Sequence, residues 1–93
     1  MPEIVIKKDG RKEEFISEKI VVSAVKSGAT PEIARKIARK VEKIEKKEIK
    51  STEIRDIVLH ELESVNPKWS ERWLSYDKGV KRLYKHYRKG LYE

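Results

Sequence analysis

The apolar residues of this chain fall into short blocks whose spacing changes along its length. Residues 3 to 7, Glu3-Ile4-Val5-Ile6-Lys7, are β-branched at the centre and run into Lys8-Asp9-Gly10-Arg11. Asp-Gly is a strong hairpin signal because Gly accepts positive φ, so strands over 3–7 and 12–15 are predicted to pair. From Ser17, read as an N-cap, Ile20, Val21, Ala24 and Val25 recur at helical spacing until Gly28 offers a stop, predicting a helix over 17–28. Thr30-Pro31-Glu32 combines a capping hydroxyl, a proline at the first helical position and a first-turn acid, which starts a second helix over 31–46. Its stripe of Ile33, Ala34, Ile37, Ala38, Val41 and Ile44 opposes a basic face of Arg35, Lys36, Arg39, Lys40 and Lys43.

Glu48-Ile49-Lys50 is long enough only for a short strand over 48–50. Ser51-Thr52-Glu53 then reads as the cap of a third helix over 52–65, with Ile54, Ile57, Val58, Leu62 and Val65 inward and Asn66-Pro67 as its end. A last helix over 68–89 carries Trp69, Trp73, Tyr76, Val80, Leu83 and Tyr87 on one seam, with Gly90 as its exit. This order predicts an α+β, mainly α fold, a four-helix bundle capped by a small two- or three-stranded β-sheet, with residues 1–93 as one stand-alone domain.

Composition narrows the class. The longest aliphatic runs, such as Ile4-Val5-Ile6, are far too short to span a bilayer, so no membrane partner is expected. No signal-peptide pattern opens the chain and cysteine is absent, which reads as a cytoplasmic protein without disulfides or thiolate metal sites. Charged residues make up 42%, Gln is absent and Asn66 is the sole Asn, a bias that points to a thermophilic source. The net charge of +7 is concentrated late, since residues 78–93 hold six Lys or Arg against one Glu.

Lys7, Lys8 and Arg11 surround one tight turn, a candidate clamp in which ammonium, guanidinium and turn amides meet an anion. Lys19 lies in the first turn of the first helix, and Ser51, Thr52 and Arg55 repeat that arrangement at the third, where free backbone donors favour anions. From the residues alone the ordinary reading, an exposed hairpin tip and an N-cap, is favoured over the clamp. No Gly-x-x-x-x-Gly-Lys-Ser/Thr loop is present, so a P-loop is excluded. Glu13 and Glu14 are adjacent on a strand and point to opposite faces, which argues against paired acid–base work. His60 and His86 lack a ligand pattern, and Trp69 and Trp73 read as core.

The segment from Val5 to Phe15, followed by Glu18-Lys19-Ile20, resembles the opening signature of the ATP-cone, a regulatory domain of ribonucleotide reductases and of the repressor of their genes. Glu48 through Arg55 resembles its second signature at the matching distance. The resemblance implies ATP or dATP, with or without Mg2+, between sheet and bundle. Lys7, Lys8 and Lys19 would meet phosphates, Val5 and the run Glu13, Glu14, Phe15, Ile16, Ser17, Glu18 and Lys19 would wrap the nucleotide, and Ser51 and Arg55 would complete the site. Two departures stand out: Ile16 occupies a position where the family carries Asp or Asn, and the last helix matches its segment only through Arg72-Trp73-Leu74-Ser75, leaving Tyr84 and Lys85 as positions for any contact there. Without Cys, these residues hold neither the repressor's zinc ribbon nor the reductase's radical cysteines, and the chain is read as neither.

The leading expectation is therefore an ATP- or dATP-binding allosteric module, not an enzyme, acting on a protein partner or as a homo-oligomer. The alternative is a small basic nucleic-acid-binding protein that uses the C-terminal helix, where Tyr84, Tyr87 and Tyr92 interleave with cations.

Overall fold

The computed structural model describes residues 1–75. Readings that fall on 76–93, including most of the helix over 68–89, its basic run, Tyr84, Lys85 and His86, lie outside the described residues. The elements are β1 (Ile4–Ile6), β2 (Lys12–Glu14), α1 (Ser17–Lys26), α2 (Pro31–Glu42), β3 (Glu48–Lys50) and α3 (Ser51–Val65), and residues 67–75 are helical again. The fold is α+β and mainly helical.

β1 is the middle strand of a three-stranded sheet in the order β2-β1-β3, antiparallel to β2 and parallel to β3. Its inward residue is Val5, which stands level with Glu13 on one side and Ile49 on the other. Val5, Phe15 and Ile49 are buried against Ile20, Val21 and Ala24 of α1, Ala34, Ile37, Ala38 and Val41 of α2, and Val58 and Leu62 of α3. Each fully buried aliphatic side chain, such as Val41 and Leu62 at 0% exposure, contributes about 1.5 to 3 kcal/mol. Buried alanines line α1 and α2, and such short side chains favour close approach of two helices.

One helix stop and two apolar positions depart from the simple periodic reading. α2 ends at Glu42, short of residue 46, because Lys47 is drawn into the sheet, its carbonyl accepting from the Glu3 and Ile4 amides at 2.8 and 3.1 Å. Val25, which shares the helical spacing of Ile20, Val21 and Ala24, is 39% exposed. At 100° per residue it is rotated about 90° from the centre of the arc shared by Ile20, Val21 and Ala24. Val65, read as inward, is 52% exposed because it is the last residue of α3, one turn beyond Leu62.

The helix starts differ in kind. Thr30 caps α2 as read, its hydroxyl accepting from the Ile33 amide at 3.3 Å. Ser17 and Ser51, read as caps, are instead the first helical residues of α1 and α3. The N-cap positions belong to Ile16 and Lys50, and neither makes a side-chain cap bond. An isoleucine has no acceptor to offer, and β3 passes into α3 without an intervening residue.

α1 ends in a Schellman turn: the Ala29 amide bonds the Ala24 carbonyl at 3.1 Å and the Gly28 amide bonds that of Val25 at 3.0 Å. Gly28 has φ 119°, and a Cβ there would lie 2.7 Å from Trp69 Cδ1 and 2.8 Å from Nε1. The indole of the last helix thus sits directly on the corner between α1 and α2. Gly28→Ala combines left-handed strain with this clash and is expected to lower stability by about 2 to 3 kcal/mol. Gly10→Ala, at φ 88° but in open space, should cost about 1 kcal/mol. Urea denaturation of both variants checks the difference, and equal losses would mean that Trp69 does not press on Gly28.

Candidate functional site

The hairpin turn is built around one carboxylate. The Gly10 amide bonds the Lys7 carbonyl at 2.9 Å and the Lys7 amide bonds that of Arg11 at 2.8 Å, enclosing a three-residue loop in which Gly10 alone has positive φ. Asp9 accepts from the Arg11 amide at 3.0 Å and from its Nε at 2.6 Å. The Arg11 amide, and then its guanidinium, hold the Asp9 carboxyl below its ordinary value of 3.8. Arg11 is therefore turned back on the loop, and the clamp read from three cations reduces to Lys7 at its base and Lys8 at its exposed tip.

Strand register decides what lies near Lys7. Alternation puts Val5 and Lys7 on the inward side of β1, and Lys7 Nζ lies 3.5 Å from Glu13 on β2. β1 and β3 run parallel with Ile6 beside Lys50, so the next residues on each chain, Lys7 and Ser51, leave the sheet at the same end. Ser51 opens α3, whose first amides have no side-chain cap. Arg55 follows one turn later on the same helix face, and its Nε is buried without a hydrogen-bond partner. Trp73 Nε1 is the other buried side-chain donor without a partner among the described residues.

The remaining candidate residues collect at the opposite end of the sheet. Glu14 stands level with Ile4, so the chain leaves β2 towards α1 about 10 Å along the strands from Lys7, three residues at ~3.3 Å each. Phe15 is buried in the core, Ile16 is exposed, Ser17 starts the helix, Glu18 pairs with Arg35 of α2 at 3.4 Å and Lys19 is exposed. The structure thus brings Lys7, Glu13, Ser51 and Arg55 towards one end and leaves Lys19 near the other. Glu14 projects from the outward face of the sheet, away from this end, because a strand alternates and its neighbour Glu13 faces inward.

The Trp73 donor was not singled out from the sequence, since spacing gives the face a tryptophan occupies but not whether its N–H finds an acceptor. Among the described residues no group of three or more His, Cys, Asp or Glu could hold a metal ion, and His60 is exposed. No described helix is long and apolar enough to cross a membrane.

The described residues thus form a mixed three-stranded sheet over helices, with basic groups and helix starts that lack side-chain caps at its margins. Residues 3–89 match the family model of the ATP cone domain, and the chain belongs to the ATP-cone family. It is thus a nucleotide-binding regulatory module of a kind that binds ATP or dATP and is regulatory rather than catalytic. No curated protein matches it significantly.

The turn makes a pH prediction. Because the folded Asp9 pKa is depressed, its contribution to the hairpin is present above the unfolded value and is lost as pH falls through the folded one. The Arg11 amide proton resonance should follow that titration in NMR, with a midpoint below 3.8. A midpoint at or above that value would mean that Asp9 does not hold the turn.

Proposed function

We propose that this ATP cone binds ATP or dATP along the inward margin of its sheet, with the phosphates between Lys7, the uncapped start of α3 and Arg55. The reading is carried by the parallel β1–β3 register, which puts an ammonium, a set of free helix amides and an unpartnered guanidinium donor at one strand end. The Lys7–Glu13 pair is at least a third exposed on both sides and worth little, so a phosphate can draw Lys7 away at small cost.

The stretch from Lys7 to the uncapped start of α1 suits an extended ligand better than a lone phosphate. In this arrangement the nucleoside lies towards Ile16, Ser17 and Lys19, with Glu13 between it and the phosphates and the buried Val5 and Phe15 as support beneath. Ile16 offers apolar surface where the family's Asp or Asn would offer a polar contact. Mg2+ would enter on phosphate oxygens and water, as it does where a protein supplies few carboxylates. Regulation requires two arrangements of the domain with different nucleotide affinity, read by a partner protein or by a second copy.

Isothermal titration of the full chain with ATP and dATP tests this proposal, which fails if neither binds more tightly than millimolar at physiological salt. Lys7→Ala should weaken binding by roughly 10- to 150-fold, the equivalent of ~1.5 to 3 kcal/mol for a charge-assisted contact. Ser51→Ala should cost less, since the backbone amides of α3 remain. Lys36→Ala, on the exposed face of α2, should leave affinity unchanged.

A further inference from the structure

The outward face of the sheet carries an ordered charge pattern that the nucleotide site does not use. Ile4 stands between Glu14 on β2 and Glu48 on β3, while Ile6 stands between Lys12 and Lys50. The face is therefore two rows, Glu-Ile-Glu and Lys-Ile-Lys, with half-buried isoleucines in the centre and exposed charges on both sides. Lys12 Nζ reaches across β1 to Glu48 at 2.8 Å, which confirms that both project on this side. Glu14 and Lys50, at opposite corners, have no ion-pair partner among the described residues.

We propose that this face is a docking surface for a second copy of the chain. Rotation by 180° about an axis in the plane of the face and perpendicular to the strands lays one copy's acidic row on the other's basic row. Glu14 then meets Lys12 of the second copy and Glu48 meets its Lys50, while Ile4 and Ile6 cover their counterparts. Lys12 keeps Glu48 and gains a second carboxylate, so two chains of four alternating charges run across the interface. A two-fold about an axis along the strands would instead set acid on acid and lysine on lysine. The pattern selects one orientation, and the contact is isologous. Three short strands ~4.8 Å apart cover only part of the ~800 Å² per partner of a standard interface, so the dimer is weak and strongly salt-dependent. No nucleotide is needed for it.

Sedimentation equilibrium of the full chain tests the proposal. At low salt the average mass should rise with concentration from 11.0 kDa towards twice that value, and near 1 M salt the association should weaken about tenfold or more. A variant with Lys12→Glu and Lys50→Glu, and another with Glu14→Lys and Glu48→Lys, should each stay monomeric where the native chain dimerises. Their equimolar mixture should recover a one-to-one dimer, and adding Ile4→Ser and Ile6→Ser to both should abolish it. Circular dichroism establishes that each variant is folded. The proposal is overturned by a native chain that stays at 11.0 kDa at every concentration, by association that survives in both single-sign variants, by a mixture that fails to pair, or by a mixture indifferent to the isoleucines.

Discussion

The parallel pairing of β1 with β3 is the constraint from which the rest of this structure follows. The two strands are separated by a hairpin arm and two helices, so their pairing closes α1 and α2 into the same core as the sheet. It buries Val5 and Ile49 side by side, pulls Lys47 out of helical continuation, and carries β3 into α3. A local hairpin of β1 and β2 could form without it, but two short strands alone are at best marginally stable. The long-range pair is what turns a turn and a helix start into neighbours.

Much of this was legible in the sequence because it depends on short-range chemistry. Thr30-Pro31-Glu32 sets the start of α2, and Gly28 marks the end of α1, since only glycine readily takes the left-handed conformation that the Schellman turn requires. The apolar stripe of α2 shows as buried Ala34, Ile37, Ala38 and Val41. Apolar character alone did not say which side chains are buried. Val25 and Val22 are as apolar as Val21, yet their angle about the axis exposes them. Ser17 and Ser51 have the chemistry of caps, but whether a serine caps depends on one residue of phase, and strand geometry decided that phase.

The same limit applies to the site. The resemblance fixed attention on Lys7, Glu13, Lys19, Ser51 and Arg55, but cation content alone would have included Arg11, which its neighbour Asp9 holds. Alternation sets Glu13 and Glu14 on opposite faces, but only the register, unknown from one sequence, says which of the two faces inward with Val5. One of these carboxylates stands beside Lys7, while the other belongs to the outward charge rows. Two consecutive residues thus serve two faces of one three-stranded sheet.

The bare openings of α1 and α3 give the domain an unfinished secondary structure that a visitor can complete. A side-chain cap is worth about 1 kcal/mol, and α2 has one while the two helices that border the proposed site do not. A bound nucleotide would act there as a removable building part, its phosphates tightening the first turn of α3 while its nucleoside covers the start of α1. The rigidity of such a molecule would then rise and fall with the supply of its ligand, and a receiver could sense that stiffness as readily as any change of shape.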